Sequence, residues 1–133
     1  MTEDKLMTIR EMCDAYEVTP RTLRFYEQKE LLTPIREGQK RLYTRRERAR
    51  LTLILRGKRF GFSLEDIRQL LDLYSVGDQQ RTQLHKAYEI AEARMAEMIR
   101  QREELDVAIG ELKDQMEWGA KMIASMENKA AAE

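Results

Sequence analysis

Arginine and lysine offer the clearest chemistry in this sequence, because they are concentrated in one stretch. Residues 36–59 hold ten Lys and Arg against only Glu37 and Glu47, a local net charge of +8 in a chain of formal net charge zero. Cationic side chains at this density attract a polyanion. A solvated helix face would have the same composition, so the charge has to be supported by geometry.

Residue types suited to catalysis or metal binding are scarce. The chain has one cysteine, Cys13, and one histidine, His85, and no glycine-rich phosphate loop. One chain therefore cannot form a disulfide or a cysteine metal site. We predict no enzyme activity, no metal and no cofactor. Cys13 lies among apolar positions, which favours a place in the core over redox sensing.

Length and hydropathy limit the class of protein. At 133 residues the chain has room for a small domain with an extension. No apolar run approaches the ~18 residues of a membrane span. We see no N-terminal signal pattern. These features predict a soluble, cytoplasmic protein without membrane contact.

Two short helices joined by a tight turn are predicted after a loose arm over residues 1–7. Thr8 and Glu11 have the spacing of a capping box, which begins the first helix. Thr19-Pro20 begins the second, since proline suits the first helical position. This spacing is typical of a helix-turn-helix.

A short β-hairpin is predicted over residues 35–43. Pro34 ends helical structure, and Gly38 supplies a turn residue between charged neighbours. A hairpin that follows a helix-turn-helix has the position of a wing.

Two more helices complete the predicted head. Thr44 and Glu47 repeat the capping-box spacing, and the helix that they begin extends to about Lys58. Ser63 caps a fourth helix, and a loop follows over residues 75–78.

A strict 4-3 repeat of mostly apolar residues dominates the rest of the chain. This spacing predicts a coiled coil, with a helix over residues 80–118 that is too long to bury its seam against one small head. Pairing with a second copy is therefore expected, and a helix that folds back into a hairpin is the alternative. The seam positions are Leu84, Tyr88, Ala91, Met95, Met98, Arg102, Leu105, Ile109, Leu112, Met116, Gly119, Ile123 and Met126.

Two seam details remain open on the sequence alone. Arg102 would set the register by meeting Glu103 or Asp106 of the partner helix, or would extend its charge to solvent. Trp118 would pack on the partner's head or line an effector pocket.

Charge divides the chain in the same way as the helical pattern. Residues 1–75 carry 16 Lys and Arg against 12 Asp and Glu, a net of +4, and residues 76–133 carry 8 against 12, a net of −4. We predict a DNA-binding domain over 1–76 and a dimerisation coiled coil with a short tail over 77–133.

Residues 6–73 resemble the head of MerR-family transcriptional regulators. The resemblance is carried by Thr8-Ile9 with Glu11, by Val18-Thr19-Pro20-Arg21-Thr22-Leu23-Arg24-Phe25-Tyr26-Glu27, by Leu31-Leu32-Thr33-Pro34, by Arg41-Leu42-Tyr43 and by Phe60-Gly61-Phe62-Ser63-Leu64. Two positions depart from the family pattern. Glu17 replaces a small turn residue, and Gly38 is displaced by one position in the wing.

The resemblance implies a mainly α winged helix-turn-helix head, followed by an antiparallel coiled coil. The second helix would enter the major groove, where Arg21 is the candidate for a bidentate contact with guanine. Arg24 and Tyr26 would hold phosphate, as would Arg41 and Tyr43 in the wing. The predicted DNA-binding residues are Thr19, Arg21, Thr22, Arg24, Phe25, Tyr26, Lys40, Arg41 and Tyr43.

The resemblance also implies partners and a mode of action. A homodimer would bind a pseudo-palindromic promoter operator, bend and untwist the DNA, and so act on RNA polymerase indirectly. Activation and repression both occur in the family. Residues 36–46 resemble the branch that regulates breakdown of branched-chain amino acids and fatty acids, which implies a CoA thioester as effector. Metal-sensing relatives carry cysteines beside the dimer helix, whereas residues 76–133 have none.

Two other classes of function compete with this interpretation. An architectural, excisionase-like DNA-binding protein without an effector would share the head, but the long dimer helix argues against it. An enzyme would need a catalytic constellation that the sequence does not contain.

Overall fold

The computed structural model describes residues 5–75 and 80–132 of the chain. It is mainly helical, with one small sheet. The elements are β1 (Met7–Thr8), α1 (Ile9–Tyr16), α2 (Pro20–Gln28), β2 (Ile35–Glu37), β3 (Lys40–Tyr43), α3 (Arg45–Phe60), α4 (Leu64–Ser75) and α5 (Gln80–Ala132). The predicted loop at 75–78 falls mostly on residues outside the described part.

The capping box at the start of α1 is confirmed. The Thr8 hydroxyl accepts a 3.2 Å hydrogen bond from the Glu11 amide, and the Glu11 carboxylate accepts one of 2.9 Å from the Thr8 amide. This backbone hydrogen bond is the main cause that lowers the pKa of Glu11. Two backbone donors that the helix itself cannot satisfy are thereby paired.

The turn between α1 and α2 uses a left-handed residue. Glu17 ends α1 with φ 55° and ψ 46°, a conformation that costs a side chain more than it costs glycine. The Thr19 hydroxyl then accepts a 3.1 Å bond from the Thr22 amide, and Pro20 occupies the first turn of α2. The predicted helix-turn-helix is therefore present, and it carries its strain at Glu17.

The predicted wing is present as part of a larger sheet than we expected. Strand β3 lies in the centre of the order β1-β3-β2, and both neighbours are antiparallel to it. Gly38, at φ 61°, and Gln39 form the two-residue connection between β2 and β3. The prediction that residues 1–7 form only a loose arm is wrong at its end, because Met7 pairs with Tyr43.

Helices α3 and α4 begin at the predicted caps, but the second capping box is incomplete. The Thr44 hydroxyl accepts a 3.2 Å bond from the Glu47 amide, and Ser63 does the same at 3.0 Å for Asp66. The Glu47 carboxylate does not return to Thr44. It accepts a 2.6 Å bond from the Thr33 amide, so it joins α3 to the loop before the wing.

A single apolar cluster holds these elements together. The chain divides into two compact units, Met1–Ile90 and Ala91–Glu133, and this cluster belongs to the first. The buried residues come from α1, α2, the loop after α2, β3, α3 and α4: Met12, Leu23, Tyr26, Leu31, Leu32, Tyr43, Leu51, Ile54, Ile67 and Leu71. Cys13 is partly buried against this cluster, as predicted, and burial raises the pKa of its thiol.

Helix α5 is continuous over 53 residues. At 1.5 Å per residue such a helix measures about 80 Å. The alternative of a helix that folds back into a hairpin is therefore wrong. The helix also extends well beyond the predicted end at residue 118.

Candidate nucleic-acid interface

Helix α2 has one buried face and one exposed face, as helical periodicity requires. Leu23 and Tyr26, three residues apart, lie in the core. Arg21, Arg24 and Phe25 lie on the surface, at the i, i+3 and i+4 spacing that places them on one side of the helix. Two guanidinium groups and an aromatic ring thus share an outward face.

The exposed ring of Phe25 lies next to a lysine side chain. It is 41% exposed, and the Lys29 Nζ lies 5.6 Å from its ring centroid, within cation–π range. The Tyr26 ring lies 5.7 Å away at a tilted angle. The contact with Lys29 covers part of an apolar surface that would otherwise lie open to water.

Tyr26 is less accessible than we expected. Only 4% of it is exposed, and burial raises the pKa of its hydroxyl. Its predicted contact with phosphate is limited to this small edge and stays a prediction. Thr19 and Thr22, whose hydroxyl oxygens lie 2.9 Å apart, remain at the start of the helix beside Arg21.

The wing presents two cations on its second strand. Lys40 follows the turn and is exposed, while Arg41 is partly buried. Their cross-strand partners are Glu37 and Arg36. The pair of Arg36 and Arg41 places two like charges opposite each other, an arrangement that destabilises a hairpin unless an anion lies between them.

Glu27, on the last turn of α2, supplies that anion. Its carboxylate accepts a 2.7 Å bond from Nη2 of Arg36 and a 2.9 Å bond from Nε of Arg41. The Arg41 hydrogen bond, followed by that of Arg36, holds the pKa of Glu27 below its usual range. The same bond raises the pKa of Arg41. One carboxylate therefore joins α2 to both strands of the wing.

An open groove lies between α2 and the wing. Its volume is about 780 Å³, and its charged lining consists of Arg24, Arg36, Arg41, Glu27 and Glu30. Three cations face two anions in this groove, which makes it a net positive surface. Arg24 lies in it without any of the ion pairs that the described residues form.

The structure corrects the prediction for Tyr43. This side chain is fully buried, and its hydroxyl has no hydrogen-bond partner among the described residues. Burial also raises its pKa. The physical reason is the third strand, because Met7 pairs with Tyr43 and encloses the end of β3. Tyr43 is a core residue in this conformation and cannot reach the DNA backbone.

Part of the basic stretch supports the fold instead of forming a surface. Nη1 of Arg48 donates to the carbonyls of Lys5, at 2.6 Å, and Tyr43, at 3.2 Å. Nε of Arg50 donates to the Leu31 carbonyl at 2.9 Å. Arg45 and Arg46 are exposed on the first turn of α3 and extend the positive surface. Charge alone therefore overstates the number of arginines available to a polyanion.

Sequence reasoning did not identify Glu27 and Arg36 as parts of this site. A signal was available for both. A two-residue hairpin turn places Arg36 opposite Arg41, and such a pair calls for a nearby carboxylate. The partner on α2 depends on tertiary packing, which the spacing of residues along the chain does not reveal.

The apolar seam of α5 is exposed in the single chain. All the predicted seam residues outside Gly119 are on the surface, Arg102 included. Arg100, which is off the seam, forms ion pairs with Glu97 and Glu104 along the same helix. The charged side of the helix thus forms ion pairs locally, whereas the apolar side is left exposed by the part of the chain that the structure describes.

Over 5–75 and 80–132, no group of three or more His, Cys, Asp or Glu side chains is arranged to hold a metal ion. In the same ranges, no helix is long and apolar enough to cross a membrane.

Two models of known protein families match the head and much of α5. A family model described as MerR HTH family regulatory protein matches residues 7–73, and a model described as MerR, DNA binding matches residues 48–115. Together these matches cover β1 through a large part of α5.

Individual relatives agree with the family models. The HTH-type transcriptional regulator ZntR of Escherichia coli K12 is 35% identical over 97 residues, which cover 68% of this chain and 69% of ZntR. The HTH-type transcriptional regulator CueR of Salmonella typhimurium is 30% identical over 106 residues, 74% of this chain and 76% of CueR.

A solved structure has a similar fold. The transcription regulator PbrR691 from Ralstonia metallidurans CH34, in complex with lead(II), superposes with a TM-score of 0.68 at 32% identity. The superposition covers 81% of this chain and 83% of PbrR691. By its family models, its relatives and its fold, this chain belongs to the MerR family of helix-turn-helix, DNA-binding transcriptional regulators.

Proposed function

We propose that two copies of this chain pair through α5 and bind a pseudo-palindromic promoter operator, each placing α2 in the major groove. The observation that carries this proposal is the exposed face of α2. Arg21, Arg24 and Phe25 share one side of a helix whose other side is locked into the core. A rigid helix that presents guanidinium groups outward is suited to base-edge contacts in that groove.

The wing supplies the second part of the contact. Lys40 is exposed and Arg41 is partly so, on a hairpin that Glu27 joins to α2. Contacts of such cations with phosphate fix the register of the protein on the duplex, while α2 specifies the sequence. Arg24, in the groove between the two elements, is proposed to bind phosphate as well.

Pairing through α5 is proposed because the seam residues are exposed in the described part of the chain. A helix of 53 residues with apolar residues at 4-3 spacing is stable in water when a second helix buries that seam. The proposed interface residues are Leu84, Tyr88, Ala91, Met95, Met98, Leu105, Ile109, Leu112 and Met116. A dimer with twofold symmetry matches an operator with twofold symmetry, because each head then contacts one half-site.

Control of transcription would follow from DNA deformation. Two heads held at a fixed separation bind best to DNA that bends and untwists to meet both, so that the promoter elements change their alignment for RNA polymerase. Such a regulator works beside the chromosome, and we therefore place it in the cytoplasm.

The effector remains a prediction, and a soft metal is not the effector that we propose. PbrR691 is in complex with lead(II). Soft metal ions prefer thiolate ligands, and residues 76–133 of this chain contain no cysteine. The proposed mechanism therefore includes no metal step. A CoA thioester stays the prediction from the branch resemblance.

A nuclease protection assay on the DNA upstream of the gene tests the proposal. We expect a footprint with twofold symmetry and enhanced cleavage at its centre, where bent DNA opens to the nuclease. Transcription from the same fragment should change when the protein is added. A footprint over one half-site only would contradict the dimer, and a symmetric footprint without any change in transcription would favour the architectural alternative.

A further inference from the structure

The side chain of Glu27 lies between α2 and the wing, and it is largely buried there. Its side chain is 17% exposed, against 22% for Arg41 and 55% for Arg36. Both oxygens of the carboxylate lie within 3.3 Å of Nη2 of Arg36 and within 3.2 Å of Nε of Arg41. The carboxylate thus lies between two guanidinium groups, whose donors bind phosphate as well as carboxylate.

The hydrogen bond to Glu27 also fixes the orientation of the Arg41 side chain. Arg41 uses Nε for Glu27, and no hydrogen bond of its two Nη groups occurs among the described residues. A guanidinium has a rigid, planar set of donors, so fixing one edge also fixes the direction of the other. Glu27 therefore holds the wing arginine in one pose relative to α2.

We propose that Glu27 is a positioning and specificity-determining residue, which restrains the wing arginines so that they bind phosphate only where the α2 contacts also fit. This inference rests on the proposed function, since it assumes that α2 and the wing bind DNA together. It goes beyond that function, because Glu27 would help to distinguish operator DNA from other DNA.

Two physical effects give this discrimination. The carboxylate cancels part of the positive charge of the wing, which weakens the sequence-independent attraction to any duplex. It also fixes the geometry between α2 and the wing, so both elements contact DNA favourably only on the correct shape. Loss of Glu27 should therefore strengthen binding to the wrong DNA, and a variant that was merely damaged would not do this.

The experiment compares the full-length protein with Glu27→Gln on operator DNA and on scrambled duplex DNA, across a range of salt concentrations. We expect Glu27→Gln to bind scrambled DNA about two- to fivefold more tightly, with a log–log salt slope steeper by about 0.9, the value for one additional phosphate contact. The ratio of operator to scrambled affinity should fall at least about fivefold. A parallel loss on both DNAs, or an unchanged ratio, would overturn the inference.

Glu30→Gln is the matched control. Glu30 lines the same groove and carries the same charge, but it forms no ion pair among the described residues. We expect it to change both affinities in parallel and to leave their ratio intact. If Glu30→Gln lowers the ratio as much as Glu27→Gln does, the effect belongs to net charge and the inference fails.

Glu27→Asp provides the rescue. It keeps the charge with a side chain shorter by one methylene, so we expect it to restore most of the ratio that Glu27→Gln loses. An aspartate variant that behaves like the glutamine variant would contradict a role of the charge. Wild-type protein that shows no operator preference and a flat salt response would instead refute the proposed function itself.

A second comparison applies if Glu27→Gln lacks a cooperative thermal transition. Arg36 is held by Glu27, whereas Arg24 in the same groove has no ion pair among the described residues. We expect Arg36→Gln to weaken binding to scrambled DNA by less than about twofold, and Arg24→Gln to weaken it several-fold more. Equal losses would overturn the inference.

Discussion

The backbone amide of Thr33 donates a 2.6 Å hydrogen bond to Oε1 of Glu47, across fourteen residues of sequence. Glu47 is 6% exposed and is the one charged residue in the core of the described chain. The bond joins the loop after α2 to the first turn of α3. The carboxylate also lies near the positive N-terminal end of that helix, which stabilises a negative charge.

Replacing Glu47 should therefore destabilise the head. In Glu47→Ala the Thr33 amide loses its partner in a partly buried place, and an unsatisfied donor of this kind costs about 1–3 kcal/mol. Chemical denaturation at a fixed protein concentration measures the loss. Glu37→Ala, which removes an exposed carboxylate from β2, should change stability by less than about 0.5 kcal/mol. Equal effects of the two variants would show that the Thr33 contact contributes little.

Two helical glycines should respond in opposite directions to alanine. A Cβ on Gly57 would lie 2.9 Å from Cγ1 of Ile67, which is buried between α3 and α4. Overpacking of this kind costs about 1–3 kcal/mol and outweighs the helix propensity gained. Gly110 on α5 has no atom within 4 Å of the added Cβ, so Gly110→Ala should stabilise the protein by up to about 1 kcal/mol. Thermal melts of both variants at equal concentration test the contrast, and a stabilising Gly57→Ala would contradict the α3–α4 packing.

The ion pairs of Glu27 should make part of the stability depend on pH. The Arg41 hydrogen bond, and then that of Arg36, depress the pKa of Glu27 in the folded state below its ordinary value of 4.5. The contribution is therefore fully present above the unfolded pKa and is lost as the pH falls through the lower folded pKa. The gap in Tm between wild type and Glu27→Gln should be constant near neutral pH and should shrink as the pH falls below 4.5, the ordinary pKa of this carboxyl. A gap that grows on acidification would contradict this sign.

Local sequence signals predicted the elements of this fold well. Thr8, Thr19, Thr44 and Ser63 each accept a backbone hydrogen bond at the helix start that their residue type predicts. The repeat along the tail predicted one long helix, and the structure extends it to Ala132. These features depend on neighbours within a few residues, so the sequence contains them directly.

Features that join distant parts of the chain were not predicted. Strand β1 has only two residues and pairs with β3 about 35 residues later, which no local pattern indicates. The same pairing buries Tyr43, which the family resemblance had placed on DNA. Glu47 satisfied a local capping pattern, yet its carboxylate bonds Thr33. Glu17 has a φ of 55° at the turn between α1 and α2, a conformation that its residue type does not indicate.

The seam of α5 can be tested by two residues of equal exposure. Leu105 is 60% exposed and Val107 is 61% exposed in the single chain, but only Leu105 belongs to the 4-3 repeat. A buried, unpaired carboxylate would split the interface, so Leu105→Glu should give a monomer at micromolar concentration. Val107 lies off the seam, so Val107→Glu should sediment as the proposed dimer. Sedimentation of both variants measures this, and two variants with the same mass would contradict the proposed seam.

In the proposed complex, α2 contacts base edges while the wing and Arg24 bind phosphate. The most direct test of this division of contacts is the affinity of Arg21→Ala for operator DNA and for scrambled DNA at one salt concentration. Loss of a bidentate guanine contact costs about 1–3 kcal/mol, so operator affinity should fall about 5- to 150-fold while binding to scrambled DNA stays within about twofold of wild type. Arg21→Ala protein that binds both DNAs as wild type does would contradict the account.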